Sequence, residues 1–292
     1  MRRRIIVVFL TLFWMMLAQA SAADRGALFK VAGKGHTMYL FGTMHVGLPE
    51  FYPLEPRITQ AVANAPTLAL EVDTSLPPQA MARVLRDYGM AAPGATMPPA
   101  LKARLERALR HAGVEPAAMA PFKPWLVAMM LAIHEFAGMG YRGDLAADAH
   151  LAALARAGKT RVIELESAQT QLALFNGLSE ADQLRYLDDS LALIESGKHR
   201  VEMREIVDAW ASADQAGLDA IAARVENDAT FSGRFMQKVL LDGRNGAMAD
   251  KLMLLLERED NAVAAIGVLH LLGKNSVPAL MRARGVTVER VY

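Results

Sequence analysis

The chain has 292 residues, 32 Lys and Arg against 31 Asp and Glu, no cysteine, and 53% hydrophobic residues. The near-neutral balance gives no electrostatic reason for a nucleic-acid partner, and the missing thiols exclude disulfide scaffolds, Cys-ligated zinc and thiol catalysis. At about 100–200 residues per domain, the length allows one large domain or two small ones.

The first 22 residues read as a cleavable export signal. Arg2, Arg3 and Arg4 precede the apolar run Ile5–Leu17, and Ala20-Ser21-Ala22 has the small-x-small pattern of a cleavage site. The run is shorter than the roughly 20 residues of a spanning helix, so cleavage is expected after Ala22. This leaves a slightly acidic mature chain, 23–292, read as one domain in the periplasm. No later stretch is long enough to span a bilayer. Trp125–Ile133 is stopped by His134-Glu135, and Lys251–Leu256 by Glu257-Arg258, so both read as buried helices.

Along the mature chain, strand patterning is predicted for Thr37–Phe41 and Thr67–Val72, with a helix over Glu55–Ala65 between them. Helices follow over Gln79–Tyr88, Ala100–Ala112, Pro124–Ala137 and Leu145–Ala157, then a strand over Arg161–Leu165. Ala168–Met253 is nearly all helical in composition, open to use as a lid, a homodimer surface or a partner platform. The chain closes with strand Ala262–Gly267, helix Val277–Ala283 and strand Val286–Val291.

The two ends repeat one unit. Each runs strand, Gly-x-x-His, helix, strand, once through Gly42-Thr43-Met44-His45 and once through Gly267-Val268-Leu269-His270. With 21 Gly and 7 His among 292 residues, about half of one such spacing arises by chance, whereas three occur. The third, ending at His36, lies in a polar turn and is set aside. A crossover of this kind gives parallel strands, so both Gly-x-x-His turns belong at the carboxyl edge of a sheet, where α/β folds hold ligands. The expected fold is therefore α/β. A central mixed sheet is built from two related strand-helix-strand halves and wrapped by helical insertions at about 78–157 and 168–260.

Carboxylates follow strands in comparable places. Glu71 and Asp73 end one, Glu164 and Glu166 another, and alternation along a strand puts each pair on one face. Acids at the ends of buried strands are costly unless paired, hydrated or bound to a cation. Two histidines with one or two carboxylates and an open position suit a catalytic divalent metal. Arg244, in the turn-rich Asp242-Gly243-Arg244-Asn245-Gly246, could hold an anionic group or instead pair with Asp242 or Asp250.

These motifs, with Lys123-Pro124-Trp125, the stretch Gly158–Ser167 with Gln171, and the pair Arg244-Asn245, together resemble the TraB/GumN family, which is related to the Tiki metalloproteases. The resemblance covers Thr37 to Val291. It implies a two-halved α/β fold similar to erythromycin-esterase and ChaN-like proteins, and metal-dependent proteolysis of a peptide or protein substrate in the cell envelope. Carried over by motif, His45, His270 and Glu71 would bind a divalent ion such as Mn, Co or Zn, with Glu166 as a second acidic ligand. Glu71 would serve as ligand or general base, and Arg244 would face substrate or the developing anion. Two other functions stay open: a metal-independent His/Glu hydrolase, and a non-catalytic envelope protein that binds polysaccharide, haem or iron. Other sites fail on residues. His134-Glu135 lacks a second His at position 138, which is Gly, and no Gly-x-Ser-x-Gly elbow or phosphate loop is present. His134 is expected on a buried or interfacial helix face, and Asp148 and His150, beside Asp144, on a solvated one, with addition of a ligand to the site as the alternative.

Overall fold

The structure, a computed structural model, describes residues 23–73 and 78–292, so the expected export signal lies outside the described residues. Six strands form one mixed sheet: β1 (Leu28–Gly33), β2 (His36–Thr43), β3 (Thr67–Leu70), β4 (Arg161–Glu164), β5 (Ala262–Gly267) and β6 (Thr287–Arg290), in the order β4-β3-β5-β2-β1-β6. Both expected crossovers are parallel: β5 pairs in parallel with β2 and with β3, and β3 with β4. Only β1 runs the other way, antiparallel to β2 and β6.

β1 was not expected from the periodicity, although its turn is legible. Gly33 faces His36 across the two-residue loop Lys34-Gly35, whose φ values of 57° and 84° suit the primed turns that match strand twist. The central strands β3 and β5 are buried at every position, as parallel strands covered on both faces must be.

The helices are α1 (Pro56–Asn64), α2 (Pro78–Gly89), α3 (Pro99–His111), α4 (Pro116–Met119), α5 (Pro124–Gly138), α6 (Ala147–Ala157), α7 (Ala168–Asn176), α8 (Glu180–Glu195), α9 (Lys198–Ala211), α10 (Gln215–Glu226), α11 (Phe231–Phe235), α12 (Gly243–Arg258) and α13 (Val277–Ala283). Serine side chains at Ser167, Ser179 and Ser276 cap the starts of α7, α8 and α13. α1 and α6 pack together over β3 and β5, while α12 and α13 pack together beside β2, β5 and β6.

The two crossovers interleave. β2 leads through α1 to β3, on the far side of β5, and β5 leads through α13 to β6, on the far side of β2. Adjacent strands whose connections depart in opposite directions open a crevice beyond their carboxyl ends. His45 and His270 lie just past the ends of these two strands. Glu71 and Glu166 follow the ends of β3 and β4 at the same edge.

Candidate functional site

The turn after β2 is clamped from both sides. Trp210, fully buried, donates from Nε1 to the Gly42 carbonyl at 2.8 Å. Beyond it, the Met44 carbonyl accepts from Ala147 N at 2.9 Å, and Gly47 exchanges two backbone hydrogen bonds with Arg142. This docking brings the first turn of α6 beneath His45, and there Asp148, 5% exposed, accepts from His45 Nδ1 at 2.9 Å. Asp148 is thus buried and engaged, not solvated; the docking of its helix decides this, and local sequence carries no sign of it.

The glycines of the Gly-x-x-His turns are needed for room. Neither has the left-handed φ that a sharp turn would require. A Cβ at Gly42 would lie 2.8 Å from Val268 Cγ2. At Gly267 it would lie 3.1 Å from Glu71 Oε2 and 3.3 Å from His45 Nε2. The second glycine is therefore the wall against which the site closes.

His270 lies in the short 3-10 turn Val268–Leu271 and is 4% exposed. Its Nδ1 meets Asn245 Oδ1 at 2.6 Å, and the Asn245 amide nitrogen donates to the Asn275 carbonyl at 2.9 Å. That second bond orients the amide, so its oxygen accepts and His270 Nδ1 carries the proton. Nε2 then faces Glu71 Oε1 at 3.8 Å, and His45 Nε2 faces Glu71 Oε2 at 4.0 Å. Two imidazoles, each held from behind at Nδ1, turn Nε2 toward the same carboxylate.

Glu71 is 6% exposed and densely supported. Oε2 accepts from Gly267 N at 2.8 Å, while Oε1 accepts from Gln171 Nε2 at 2.8 Å and from Arg244 Nη2. Burial alone would raise its pKa, but the charges of His270, His45 and Arg244 and the Gly267 N–H reverse this and hold it at about 2. The two histidines diverge. Dehydration opposes charge on His45 only weakly, because its side chain is 60% exposed, and its hydrogen bond to Asp148 and the charges of Asp148 and Glu71 raise it to about 9. At His270 dehydration wins and holds it at about 4.

Arg244 comes from helix, not from a loop. A π-helical turn over Met236–Asp242 runs directly into α12, and irregular turns of this kind commonly re-aim side chains at functional sites. Its partners are neither Asp242 nor Asp250. Nε donates to Glu166 at 2.8 Å, Nη1 to the Leu240 carbonyl at 3.0 Å, and Nη2 to both Glu71 and Glu166. Glu166 contacts Arg244 and Gln171, so it supports Glu71 from behind while the histidines approach from the front. Because β3 and β4 end at Leu70 and Glu164, strand alternation does not reach Asp73 or Glu166. Asp73 instead pairs with Arg156, and its backbone N–H with Glu164. His134 is exposed on α5, while Glu135 is buried against Arg200 at 2.7 Å.

The cluster forms the floor of a cleft of about 420 Å³ whose walls are mainly apolar, from Val46, Phe136, Phe175, Ile206, Met236, Leu240 and Leu269. As they stand, the 3.8 and 4.0 Å separations exceed the roughly 3.4 Å between ligands of one tetrahedral ion with bonds near 2.1 Å. Accordingly, among the described residues no group of three or more His, Cys, Asp or Glu is spaced to hold a metal. The donor chemistry nevertheless fits a divalent ion. His45 Nε2 faces Glu71 Oε2 and His270 Nε2 faces Glu71 Oε1, and each imidazole is anchored at Nδ1 by an oxygen, as histidine ligands characteristically are.

Comparison with known proteins identifies the family. A model of the TraB/PrgY/gumN family matches residues 27–290. The chain is 27% identical over 264 residues to "Uncharacterized protein YbaP" of Shigella flexneri, covering 86% of this chain and 89% of that protein. It is likewise 27% identical over 258 residues to "Uncharacterized protein YbaP" of Escherichia coli K12, covering 84% and 87%. No solved structure matches. The chain belongs to the TraB/PrgY/gumN family.

Proposed function

We propose that this protein is a divalent-metal-dependent hydrolase of peptide bonds, exported to the periplasm by residues 1–22. The observation that carries the reading is the convergence of His45 Nε2 and His270 Nε2 on Glu71 at the carboxyl edge of the sheet. His45, His270 and Glu71 are the residues that would hold the ion. When bound, a divalent ion supplies Lewis acidity and acidifies water. The chain's own residues set the stage for it. Asp148 and Asn245 keep each Nδ1 engaged, Arg244 and Gln171 hold Glu71 Oε1, and Glu166 balances the Arg244 charge.

The test is metal analysis of purified protein, as isolated and after dialysis against Mn, Co or Zn. About one ion per chain is expected, lost in His45→Ala and in His270→Ala, together with cleavage of a broad peptide library. A wild-type protein that takes up none of the three ions overturns the reading. One that binds metal but leaves peptides and esters intact points to a binding protein with an inherited pocket.

A second reading rests on the chain Asp148–His45–Glu71, in which an imidazole hydrogen-bonded to one carboxylate faces another at 4.0 Å. In that arrangement His45 performs metal-free acid–base hydrolysis. Hydrolysis that survives exhaustive chelation, and is lost in His45→Ala, selects this second reading over the first.

A further inference from the structure

The polar floor is internally matched. Arg244 spends its donors on Glu71, Glu166 and the Leu240 carbonyl, and His45 is bonded to Asp148. Among the described residues lining the cleft, no uncompensated positive charge faces the opening, so the floor does not recruit an acidic substrate. Selectivity must therefore come from the walls.

Those walls are not simply core. Val46, Phe136, Ile206, Met236 and Leu269 are only partly buried, and with Phe175 they line the cleft from six separate segments of the chain. Apolar surface left open beside a catalytic-type cluster is what a site needs to take an apolar group out of water. A volume of about 420 Å³ lies within the usual 300–1,000 Å³ range of small-molecule sites, much smaller than a groove for a folded partner.

We propose that the cleft selects peptides carrying a bulky apolar side chain beside the bond held at His45, Glu71 and His270. This rests on the hydrolase reading for its chemistry, while the selectivity itself is a property of the walls. The apolar side chain lies between α5, α9 and the π-helical turn, and the adjoining peptide group lies over the floor. Ile206 on α9 and Met236 at the start of that turn set the apolar limit of the pocket.

The experiment is isothermal titration of purified protein with acetyl-Phe-Leu-amide, acetyl-Ser-Asn-amide and octanamide, alongside cleavage of internally quenched peptides that differ only at the same two positions. Acetyl-Phe-Leu-amide is expected to bind at least tenfold more tightly than acetyl-Ser-Asn-amide. Ile206→Asp and Met236→Gln are each expected to reduce that preference severalfold while the thermal unfolding midpoint stays near wild type. Equal affinity for the two peptides, or no measurable affinity for either, overturns the proposal. So does tighter binding of octanamide than of the apolar peptide, which would assign the walls to an acyl chain. The two readings fail separately. Selective binding without cleavage leaves the wall selectivity standing and removes the hydrolase. Cleavage that ignores the two positions keeps the hydrolase and removes the selectivity.

Discussion

Gly267 shows how much of the site depends on one missing atom. Its φ of −50° and ψ of 132° are open to any residue, so Gly267→Ala strains no backbone. The new Cβ would press on Glu71 Oε2 at 3.1 Å and His45 Nε2 at 3.3 Å, forcing both away from the point where they converge. The expected outcome separates stability from function. Calorimetry should show a stability change within about 1 kcal/mol of wild type, because the restriction of the unfolded chain by alanine is offset by the displaced Glu71 carboxylate. Divalent-ion uptake, measured by titration, should fall at least tenfold. An alanine variant that binds metal as well as wild type would show that the close approach at Gly267 has no functional consequence. The Gly-x-x-His spacing drew attention to this glycine. The reason for it, contact with a carboxylate from another strand, lay outside any local window.

α12 and the π-helical turn before it carry Arg244 to the site, and the consequence is as much structural as chemical. The guanidinium is 12% exposed and faces Glu71 and Glu166, with side-chain exposures of 7% and 9%. Removing it breaks the buried ion pairs to both acids and leaves Glu71 only the imidazoles beside it, and breaking a buried pair typically costs about 3–5 kcal/mol. Arg244→Ala should therefore lower the denaturant midpoint substantially. Arg244→Lys should restore only part of the loss, since an ammonium cannot reproduce the fork that reaches both acids and the Leu240 carbonyl. Full recovery with lysine would mean that the bidentate geometry is unimportant. Most elements were legible from periodicity: β5 and α13 have the expected bounds, and α1, α3 and α5 agree within a residue or two. The exceptions are informative. β1 is a six-residue strand whose clearest marker in the sequence is the turn that follows it. The junction at Arg244 combines Asp, Gly and Asn in a turn-like pattern, yet buried packing of Leu240, Leu241 and Met248 keeps it helical.

Across the whole molecule, a buried acid outside the cleft ties distant parts of the chain together. Glu55, 1% exposed ahead of α1, accepts from the Tyr292 hydroxyl, while the Tyr292 carbonyl accepts from Leu28 N. Burial raises the Glu55 pKa to about 7, with Asp24 adding to the shift and Tyr292 and Arg25 opposing it. The folded protein therefore holds this proton more tightly than the unfolded chain, whose carboxyl titrates near 4.5. The stabilising contribution is complete below about pH 4.5 and is lost as pH rises through about 7, with a maximum slope near 1.4 kcal/mol per pH unit. Denaturant titrations of wild type and Glu55→Gln should diverge over that window, the variant gaining up to about 3 kcal/mol relative to wild type by pH 8. Parallel pH profiles would show that Glu55 ionises normally in the fold.

The sequence alone determined the alternation of strand and helix, the α/β class and the repeat of Gly-x-x-His at the two ends that made His45 and His270 candidates, with Glu71 at a strand end between them. Those features are written in short-range periodicity and spacing, and the physics behind them acts within one or two turns of chain. Tertiary structure decided the rest. The interleaving of two crossovers brings β2 and β5 side by side, the docking of α6 places Asp148 behind His45, and α12 sets Asn245 behind His270 and Arg244 against Glu71. Each of these contacts joins residues far apart in the chain. Such pairings depend on which faces are buried together, and no local pattern in the sequence encodes that choice.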